Sequence, residues 1–431
     1  MERFDTIIIG AGPGGYELAA LLAGAGERVA VIERDMPGGT CLNRGCIPTK
    51  CLAASAAELD AVRRAADFGV ICPGATVDYP AVRARMCRVM DDLRQGVMSA
   101  LRDVTYIEGE GALSSPRTVA VGGTDTYEAV RRIVIATGSA PAPLRAEGAS
   151  LALDSTAALA LETLPQRAVI IGGGVIGMEL ASIWNTFGVR VTVLEFCPEI
   201  LPGFDTEVAK RLRMTLSRRG VEIVTGARVT EVTPDAVKYI GKKGEAVVET
   251  DVTAAAVGRR PVLPAGLPEA GVELTGRGFI RVNDRMETTV PGVYAIGDVN
   301  GLSMLAHSAV AQARVIATGD VSCFDASRVP GVVFTVPEVA QVGSVPSDTP
   351  TRTLKRMFAG NGKALASGQG EGFVKFTLRE ADDAVMAVSI IGAHAADLIA
   401  EATILVTDRV PLPQVGSRYI HAHPTLSEIL A

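Results

Sequence analysis

An internal repeat constrains the fold of this chain more than any other feature of its sequence. The segments Thr6–Ala19 and Ala168–Ala181 match at a constant offset of 162 residues. Each predicts an apolar strand, a Gly-X-Gly-X-X-Gly turn, a helix and a second apolar strand that ends in glutamate. Those glutamates, Glu33 and Glu195, each lie 23 residues after the first glycine. A single glycine-rich turn is weak evidence, but the whole set found twice predicts two dinucleotide-binding βαβ units.

Each position in the repeat has a physical role. The first glycine allows a tight turn, the second lets the backbone approach a pyrophosphate, and the third lets the helix pack against the strand. The helix N-terminus offers free N–H groups to the pyrophosphate, and the glutamate accepts hydrogen bonds from a ribose. Two sites indicate FAD in the first unit and a nicotinamide dinucleotide in the second. Glu195 favours NAD over NADP, because a carboxylate repels a 2′-phosphate. The alternative is two glycine turns that bind no nucleotide.

Two further segments predict a flavin domain that the second nucleotide unit interrupts. Arg132–Ser139 reads as a buried strand that ends in a glycine turn. Pro291–Asp298 reads as another strand, whose final acid is placed for a ribityl hydroxyl of FAD. Asp298 is also a candidate cap for the helix predicted after Gly301, and the two roles are compatible.

The sequence pattern changes near Pro330. Alternating apolar residues over Val332–Val342, Phe373–Leu378 and Ala384–Ile391 predict an antiparallel sheet, and Ala395–Thr407 predicts a helix. The predicted fold class is therefore α/β, with two Rossmann-like dinucleotide-binding domains and a C-terminal α+β domain.

Composition narrows the possible partners. The 431 residues are 48% hydrophobic and 21% charged, with a net charge of −6. This balance predicts a soluble globular protein and argues against nucleic acid or an anionic membrane surface as partner. The start of the chain does not resemble a signal peptide, and no uncharged apolar run approaches about 18 residues. We therefore expect no membrane span and a cytoplasmic location.

Cys41 and Cys46 form a close pair within Gly38–Lys50. A disulfide between them would close a small, strained loop and suit redox turnover. A helix N-terminus or the neighbouring Lys50 would lower the pKa of such a thiol. The alternatives are two buried free cysteines or half of a zinc site, but the chain has only four histidines and no second cysteine pair with ligand spacing. We predict no metal site, and we interpret Cys51 as a buried helix residue.

His423 is the candidate base for thiol chemistry, since histidine has a suitable pKa. Pro424 follows it and is expected to hold it extended. Glu428 either forms a capping box with Thr425 or orients the imidazole of His423. We expect one carboxylate to perform only one of these roles well, and the sequence leaves both open.

The motif GGTCLNRGCIPTK resembles the active-site motif of the FAD-dependent pyridine nucleotide–disulfide oxidoreductases. Within that family HAHPTLSE, GDVNGLSMLAH and Glu195 are most similar to the dihydrolipoamide dehydrogenases, and the resemblance covers essentially the whole chain. It implies oxidation of dihydrolipoyl groups with NAD through a Cys41–Cys46 disulfide and FAD. It also implies a homodimer and a lipoyl-bearing carrier protein of a 2-oxo acid dehydrogenase or glycine-cleavage system as partner.

The resemblance also implies a role for each catalytic residue. Cys41 is expected to be the interchange thiol that attacks the lipoyl group, and Cys46 the charge-transfer thiol that faces the flavin. His423 is expected to be the base and to reach the cysteine pair of the other subunit. Glu428 is expected to be its partner.

The resemblance also implies an FAD site and an NAD site, each with more residues than the catalytic site. The expected FAD-binding residues are Gly10, Gly12, Gly15, Glu33, Arg34, Gly39, Thr40, Cys41, Lys50, Gly111, Ala112, Thr137, Gly138, Ser139, Asp298, Met304, Leu305, Ala306 and His307. The expected NAD-binding residues are Gly172, Gly174, Val175, Ile176, Gly177, Glu179, Glu195, Val229 and Gly258. Lys50 and Glu179 are expected to pair near the flavin, and Met304–His307 to touch it through their backbone.

The resemblance divides the chain into four segments. Residues 1–148 would be the first part of the FAD domain, with the redox disulfide, and residues 149–262 the NAD domain. Residues 263–325 would be the second, central part of the FAD domain, and residues 326–431 the dimerisation domain.

Two alternative functions stay open. One is another disulfide reductase of the family; a glutathione-type enzyme would prefer NADPH, with basic residues near Glu195, and a mercuric reductase would carry a C-terminal cysteine pair, which the sequence lacks. The other is a weakly active flavoprotein subunit of a larger complex. That alternative follows from the three residues after Glu428, because so short a helix is marginal by itself.

Overall fold

The computed structural model describes residues 1–431, which form two compact units. The first unit contains Met1–Cys51, Arg83–Ala142 and Gly258–Ala326. The second contains Leu52–Val82, Pro143–Val257 and Ser327–Ala431.

The secondary structure alternates helices and strands over most of the chain. The helices are α1 (Pro13–Gly24), α2 (Gly39–Arg44), α3 (Cys46–Arg63), α4 (Tyr79–Ala100), α5 (Ser155–Leu159), α6 (Val175–Thr186), α7 (Thr206–Arg218), α8 (Leu267–Ala270), α9 (Ala306–Thr318), α10 (Gly362–Ala366), α11 (Ala395–Thr407) and α12 (Leu412–Arg418). The strands are β1 (Glu2–Ile9), β2 (Val29–Glu33), β3 (Thr105–Glu108), β4 (Gly111–Ser115), β5 (Thr118–Val121), β6 (Asp125–Ile135), β7 (Ser139–Pro141), β8 (Arg167–Ile171), β9 (Arg190–Glu195), β10 (Glu222–Thr225), β11 (Arg228–Val232), β12 (Ala236–Gly241), β13 (Gly244–Glu249), β14 (Val252–Ala255), β15 (Arg259–Pro261), β16 (Val293–Ala295), β17 (Gly331–Val333), β18 (Glu338–Gly343), β19 (Thr351–Met357), β20 (Phe373–Arg379) and β21 (Val385–Gly392).

The first unit is built on a seven-stranded sheet. The strand order is β3-β2-β1-β6-β5-β4, and β16 also pairs with β6. Strands β1, β2, β3, β6 and β16 run parallel, whereas β4 and β5 form an antiparallel extension. Ile7, Ile8 and Ile9 of the central strand are all buried, as expected of a parallel strand covered on both faces. The first βαβ unit predicted from sequence is therefore present.

The second unit contains the other predicted βαβ unit. Its parallel sheet has the order β10-β9-β8-β14, and α6 links β8 to β9. Helix α6 is mostly buried, including Trp184 and Glu179. Strands β11, β12 and β13 form a separate antiparallel sheet.

A five-stranded antiparallel sheet follows in the second unit, in the order β17-β18-β21-β20-β19. Helix α11 packs against it through Leu398, Ala402 and Leu405, and its bounds match the predicted helix. The sequence analysis missed β19. That strand is a polar edge strand of sequence TRTLKRM, in which only Leu354 packs against the core, so it lacks the alternation that predicted the others. The predicted α/β fold class is confirmed. None of the helices is long and apolar enough to cross a membrane.

Candidate active site

The first glycine turn has the geometry that its sequence predicts. Gly10 has φ +108°, and a Cβ there would lie 2.4 Å from the carbonyl oxygen of Ala136. A Cβ on Gly15 would lie 2.0 Å from the carbonyl oxygen of Gly10, so α1 packs directly on the turn. By contrast, a Cβ on Gly12 would meet nothing within 4 Å. Gly12 caps α1 without a side-chain hydrogen bond, which leaves open space before free N–H groups.

The second turn repeats this geometry closely. A Cβ on Gly172 would lie 2.4 Å from the carbonyl oxygen of Ala256, and one on Gly177 would lie 1.9 Å from that of Gly172. Gly174 again faces open space and caps α6 without a side-chain hydrogen bond. Val175 and Ile176 form the first turn of α6. Both turns thus fit a pyrophosphate at a helix N-terminus.

The two glutamates that end β2 and β9 also hold their turns. Glu33 accepts hydrogen bonds from the backbone N–H of Ala11 (2.7 Å) and Asp35 (3.0 Å). Glu195 accepts from Gly173 N (2.5 Å) and Cys197 N (2.5 Å). Each carboxylate lies beside its glycine turn, where the sequence analysis expected a ribose. Burial raises the pKa of Glu33 above its ordinary value.

Gly39 and Thr40 lie at the start of α2, beside the first glycine turn. Gly39 has φ +58°, and a Cβ there would lie 2.8 Å from the Cα of Gly12. Arg34 follows β2 and forms an exposed ion pair with Glu110 (3.1 Å). Gly111 and Ala112 lie in β4.

A half-buried acid, Asp298, lies close to Ser139, which follows the glycine turn after β6. Asp298 accepts a hydrogen bond from the hydroxyl of Ser139 (2.5 Å), and burial raises the pKa of Asp298. Arg259 donates to both the hydroxyl (2.7 Å) and the carbonyl (2.8 Å) of Ser139. Arg259 was not predicted from the sequence, because its partner Ser139 lies 120 residues away. Thr137 and Gly138 both bond to the backbone of Val262.

The alternative role for Asp298, capping the helix after Gly301, is wrong. That helix is α9, whose N-cap is Leu305, with no side-chain cap. Asp298 instead lies in a short 3₁₀ turn, Gly297–Asn300. Met304 and Leu305 precede α9, and Ala306 and His307 are its first residues. A helix N-terminus at this place suits the predicted backbone contacts to a flavin.

The cysteine pair lies at a break between two helices. Cys41 lies in α2, and Cys46 is the first residue of α3. Gly45 separates them, and a Cβ there would lie 3.1 Å from the carbonyl oxygen of Thr40. Asn43 holds the turn by donating from its side-chain amide to the carbonyls of Pro37 (3.0 Å) and Gly39 (2.9 Å). The two cysteines are therefore separated by a glycine break between two helices.

The two thiols are in direct contact. For Cys41 this contact corrects the expectation that Lys50 or a helix N-terminus would lower the pKa of the thiol. The pKa of Cys41 is raised, because its thiol bonds to Cys46, because it is buried, and because charge on Cys46 repels a second charge. Lys50 acts in the predicted direction, lowering the pKa of Cys41, but the other effects outweigh it. The arrangement therefore favours negative charge on Cys46, at the N-terminus of the 18-residue α3. Cys51 is buried, as predicted.

His423 and Glu428 form a hydrogen-bonded dyad near the C-terminus. The distance from His423 Nδ1 to Glu428 Oε1 is 2.9 Å, and Thr425 N donates to Glu428 Oε2 at 2.8 Å. The expectation that one carboxylate would serve only one role is wrong, because its two oxygens serve one role each. Hydrogen bonds from Thr425 and His423 lower the pKa of Glu428.

The short C-terminal turn is well anchored. Leu426–Ile429 form a 3₁₀ turn with a complete capping box. Asn361 donates to the carbonyl of Thr425 (3.0 Å), and Arg356 to that of Ile429 (3.2 Å). Leu430 is fully buried. Tertiary contacts thus stabilise a segment too short to be a stable helix by itself.

The remaining predicted NAD-site residues lie in three places. Glu179 is buried in α6, and its carboxylate accepts a hydrogen bond from Phe334 N (2.9 Å). Val229 lies in β11, and Gly258 immediately precedes β15. The expected pairing of Glu179 with Lys50 stays a prediction.

The chain matches two family models over most of its length. Residues 4–313 match the model described as pyridine nucleotide-disulphide oxidoreductase, and residues 329–431 match that family's dimerisation domain. The chain belongs to the pyridine nucleotide-disulphide oxidoreductase family. The resemblance, the FAD and NAD cofactors and the oxidoreductase class predicted from sequence are thereby confirmed. The dimerisation domain supports a homodimer.

Similar proteins cover the chain from end to end. A dihydrolipoyl dehydrogenase of Chlamydia pneumoniae is 38% identical and is aligned over 100% of this chain and 96% of its own length. One from Bacillus subtilis is 36% identical, over 99% and 94%. A leghemoglobin reductase of Glycine max is 37% identical, over 99% and 86%. Among solved structures, the HOCl-induced flavoprotein disulfide reductase RclA from Escherichia coli is 27% identical, with TM-score 0.87 over 99% of this chain and 98% of that one.

Proposed function

We propose that this protein is an NAD-dependent dihydrolipoyl dehydrogenase. The observation that carries the proposal is the His423–Glu428 dyad. The carboxylate holds Nδ1 of the imidazole, which leaves Nε2 to exchange a proton with a thiol. The dihydrolipoyl dehydrogenases that resemble this chain over its full length support the same substrate.

The proposed residues account for the electrons and protons that the dihydrolipoyl group loses. His423 takes a proton from a dihydrolipoyl thiol, whose sulfur attacks Cys41 of the Cys41–Cys46 disulfide and displaces Cys46 as thiolate. The second lipoyl sulfur then attacks the mixed disulfide, closes the cyclic disulfide and releases Cys41. The two protons of the dithiol end on Cys41 and on His423, and its two electrons pass to the cysteine pair. FAD, when bound, supplies the two-electron chemistry that returns the pair to the disulfide and reduces NAD to NADH.

The chain's other residues would bind and orient the two cofactors. The open space at Gly12 and Gly174 fits a pyrophosphate at each turn, because any side chain would fill it. Asp298 would orient a ribityl hydroxyl, and Glu195 would favour NAD. We retain the four-segment division, the homodimer and a lipoyl-bearing carrier protein as parts of the same proposal.

His423→Ala tests the proposal. The variant should lose about 10²- to 10⁴-fold in lipoamide turnover, the usual contribution of a general base. Reduction of an artificial dye by NADH, which needs no proton transfer from a dithiol, is the parallel assay that reports on flavin reduction. Unchanged lipoamide turnover would overturn the mechanism.

A second candidate is a disulfide reductase with another substrate. The likeness to the flavoprotein disulfide reductase RclA favours it, because that likeness extends over nearly the whole of both chains. This candidate predicts flavin reduction by NADH without lipoamide turnover. Turnover of lipoamide therefore distinguishes the two candidate functions.

A further inference from the structure

The segment that carries His423 has few contacts of its own. Residues 420–424 donate no backbone hydrogen bond to another backbone group. Ile420 is fully exposed, and Tyr419 is 38% exposed, so apolar packing does not hold the start of the segment. On the C-terminal side, Thr425 bonds to the carbonyl of Ala422 (2.7 Å) and to Glu428. On the N-terminal side, Tyr419 N donates to the carbonyl of Val415 (2.9 Å), and the next contact along the chain is made by the side chain of His421.

That contact is a hydrogen bond between His421 and Glu401 of α11. Nε2 of His421 lies 2.7 Å from Oε1 of Glu401, and the His421 side chain is only 10% exposed. Its other ring nitrogen, Nδ1, is buried and has no hydrogen-bond partner. The ring is therefore held through a single atom, Nε2. The sequence alone assigns no role to His421.

Glu401 lies in α11, a helix that is packed against the C-terminal sheet. Helix α11 packs its neighbours Leu398, Ala402 and Leu405 into the core of the C-terminal sheet. The His421–Glu401 pair thus ties the segment to the core two residues before His423.

We propose that His421 and Glu401 are positioning residues for His423. Their contact fixes the N-terminal side of the segment, as the Glu428 capping box fixes its C-terminal side. A base held from both sides keeps Nε2 in one place, and a misplacement of about 1 Å costs on the order of 10²-fold in rate. This inference rests on the proposed function, in which His423 is the base.

Two substitutions of His421 by residues with an amide side chain, glutamine and asparagine, test the contact. In His421→Gln the side-chain amide nitrogen reaches the place of Nε2 and can still donate to Glu401. In His421→Asn the amide nitrogen corresponds to Nδ1, which has no partner, so the contact is lost. We expect His421→Asn and Glu401→Ala to lower kcat for lipoamide reduction about 10-fold or more, with an unchanged KM for NADH. We expect His421→Gln to stay within about 3-fold of wild type.

His394 provides a matched control. It forms a similar contact with Asp397 at the start of the same helix, 3.4 Å long but exposed to solvent. His394→Gln and His394→Asn should behave alike and like wild type. Equal losses in His421→Gln and His421→Asn, or no loss in either, would overturn the positioning role.

Limited trypsin cleavage of the FAD-loaded protein supplies a readout that does not depend on activity. Cleavage after Arg418 releases residues 419–431, which mass spectrometry identifies. The release should be faster in His421→Asn than in wild type and unchanged in His421→Gln. Equal release from all three would contradict the anchor. If the wild-type protein fails to reduce lipoamide, the proposed function fails, whereas the order of cleavage rates still decides the anchor.

Discussion

At the scale of single residues, the two thiols of the redox pair differ because their surroundings differ. Cys46 begins a long helix, whose N-terminus favours a negative charge. Cys41 lies in a short helix, and its thiol forms a hydrogen bond with Cys46. These different positions support the interchange role that we propose for Cys41 and the charge-transfer role that we propose for Cys46.

Replacing Cys46 by alanine tests this difference. The contact with Cys46 is the largest cause of the raised pKa of Cys41, so its removal should lower that pKa. Because a lower pKa means a larger thiolate fraction, at a given pH more of Cys41 is thiolate in Cys46→Ala than in the reduced wild-type protein. The pH dependence of Cys41 alkylation by iodoacetamide, followed by peptide mass spectrometry, measures the shift. A profile that moves to higher pH would contradict the account.

At the scale of elements, the two glycine turns separate packing from ligand binding. In the second turn, Gly177 has no room for a methyl group, whereas Gly174 has open space and an ordinary φ of −73°. The same contrast holds for Gly15 and Gly12 in the first turn. One glycine of each turn is therefore required by the fold, and another leaves space for a ligand.

Alanine at Gly177 should affect the stability of the protein, whereas alanine at Gly174 should affect the binding of NADH. Gly177→Ala should destabilise the protein by about 3 kcal/mol or more, because its Cβ overlaps backbone that cannot easily move. Gly174→Ala should change the free energy of unfolding by less than about 0.5 kcal/mol but raise KM for NADH about 10-fold or more. Urea unfolding and steady-state kinetics measure the two effects. Similar stability losses in both variants would contradict the division of roles.

At the scale of the whole molecule, the proposed active site combines the cysteine pair of one subunit with His423 of the other. Coexpression of Cys46→Ser and His423→Ala chains tests this arrangement. Each homodimer lacks one essential group at both sites, whereas a mixed dimer has one complete site. Random pairing should therefore restore about one quarter of the wild-type lipoamide activity. No recovery in isolated mixed dimers would place both groups in the same subunit.

The sequence predicted those parts of the molecule that rest on short-range patterns. Both glycine turns and α11 were predictable, because turn chemistry and helical periodicity act within a few residues. The partners of Ser139 and His421 were not, because Arg259 and Glu401 lie 120 and 20 residues from them and belong to no motif. Strand β19 was missed because its polar residues suit an exposed edge. The dual role of Glu428 depends on the placement of two oxygens on one side chain, which no residue pattern encodes.

The most direct test of the central claim is steady-state reduction of lipoamide with NADH and with NADPH, with glutathione disulfide as control substrate. We expect rapid turnover of lipoamide with NADH, little with NADPH because Glu195 repels a 2′-phosphate, and none of glutathione disulfide. Flavin reduction by NADH without turnover of lipoamide would contradict the proposed function and favour a reductase that acts on a different disulfide.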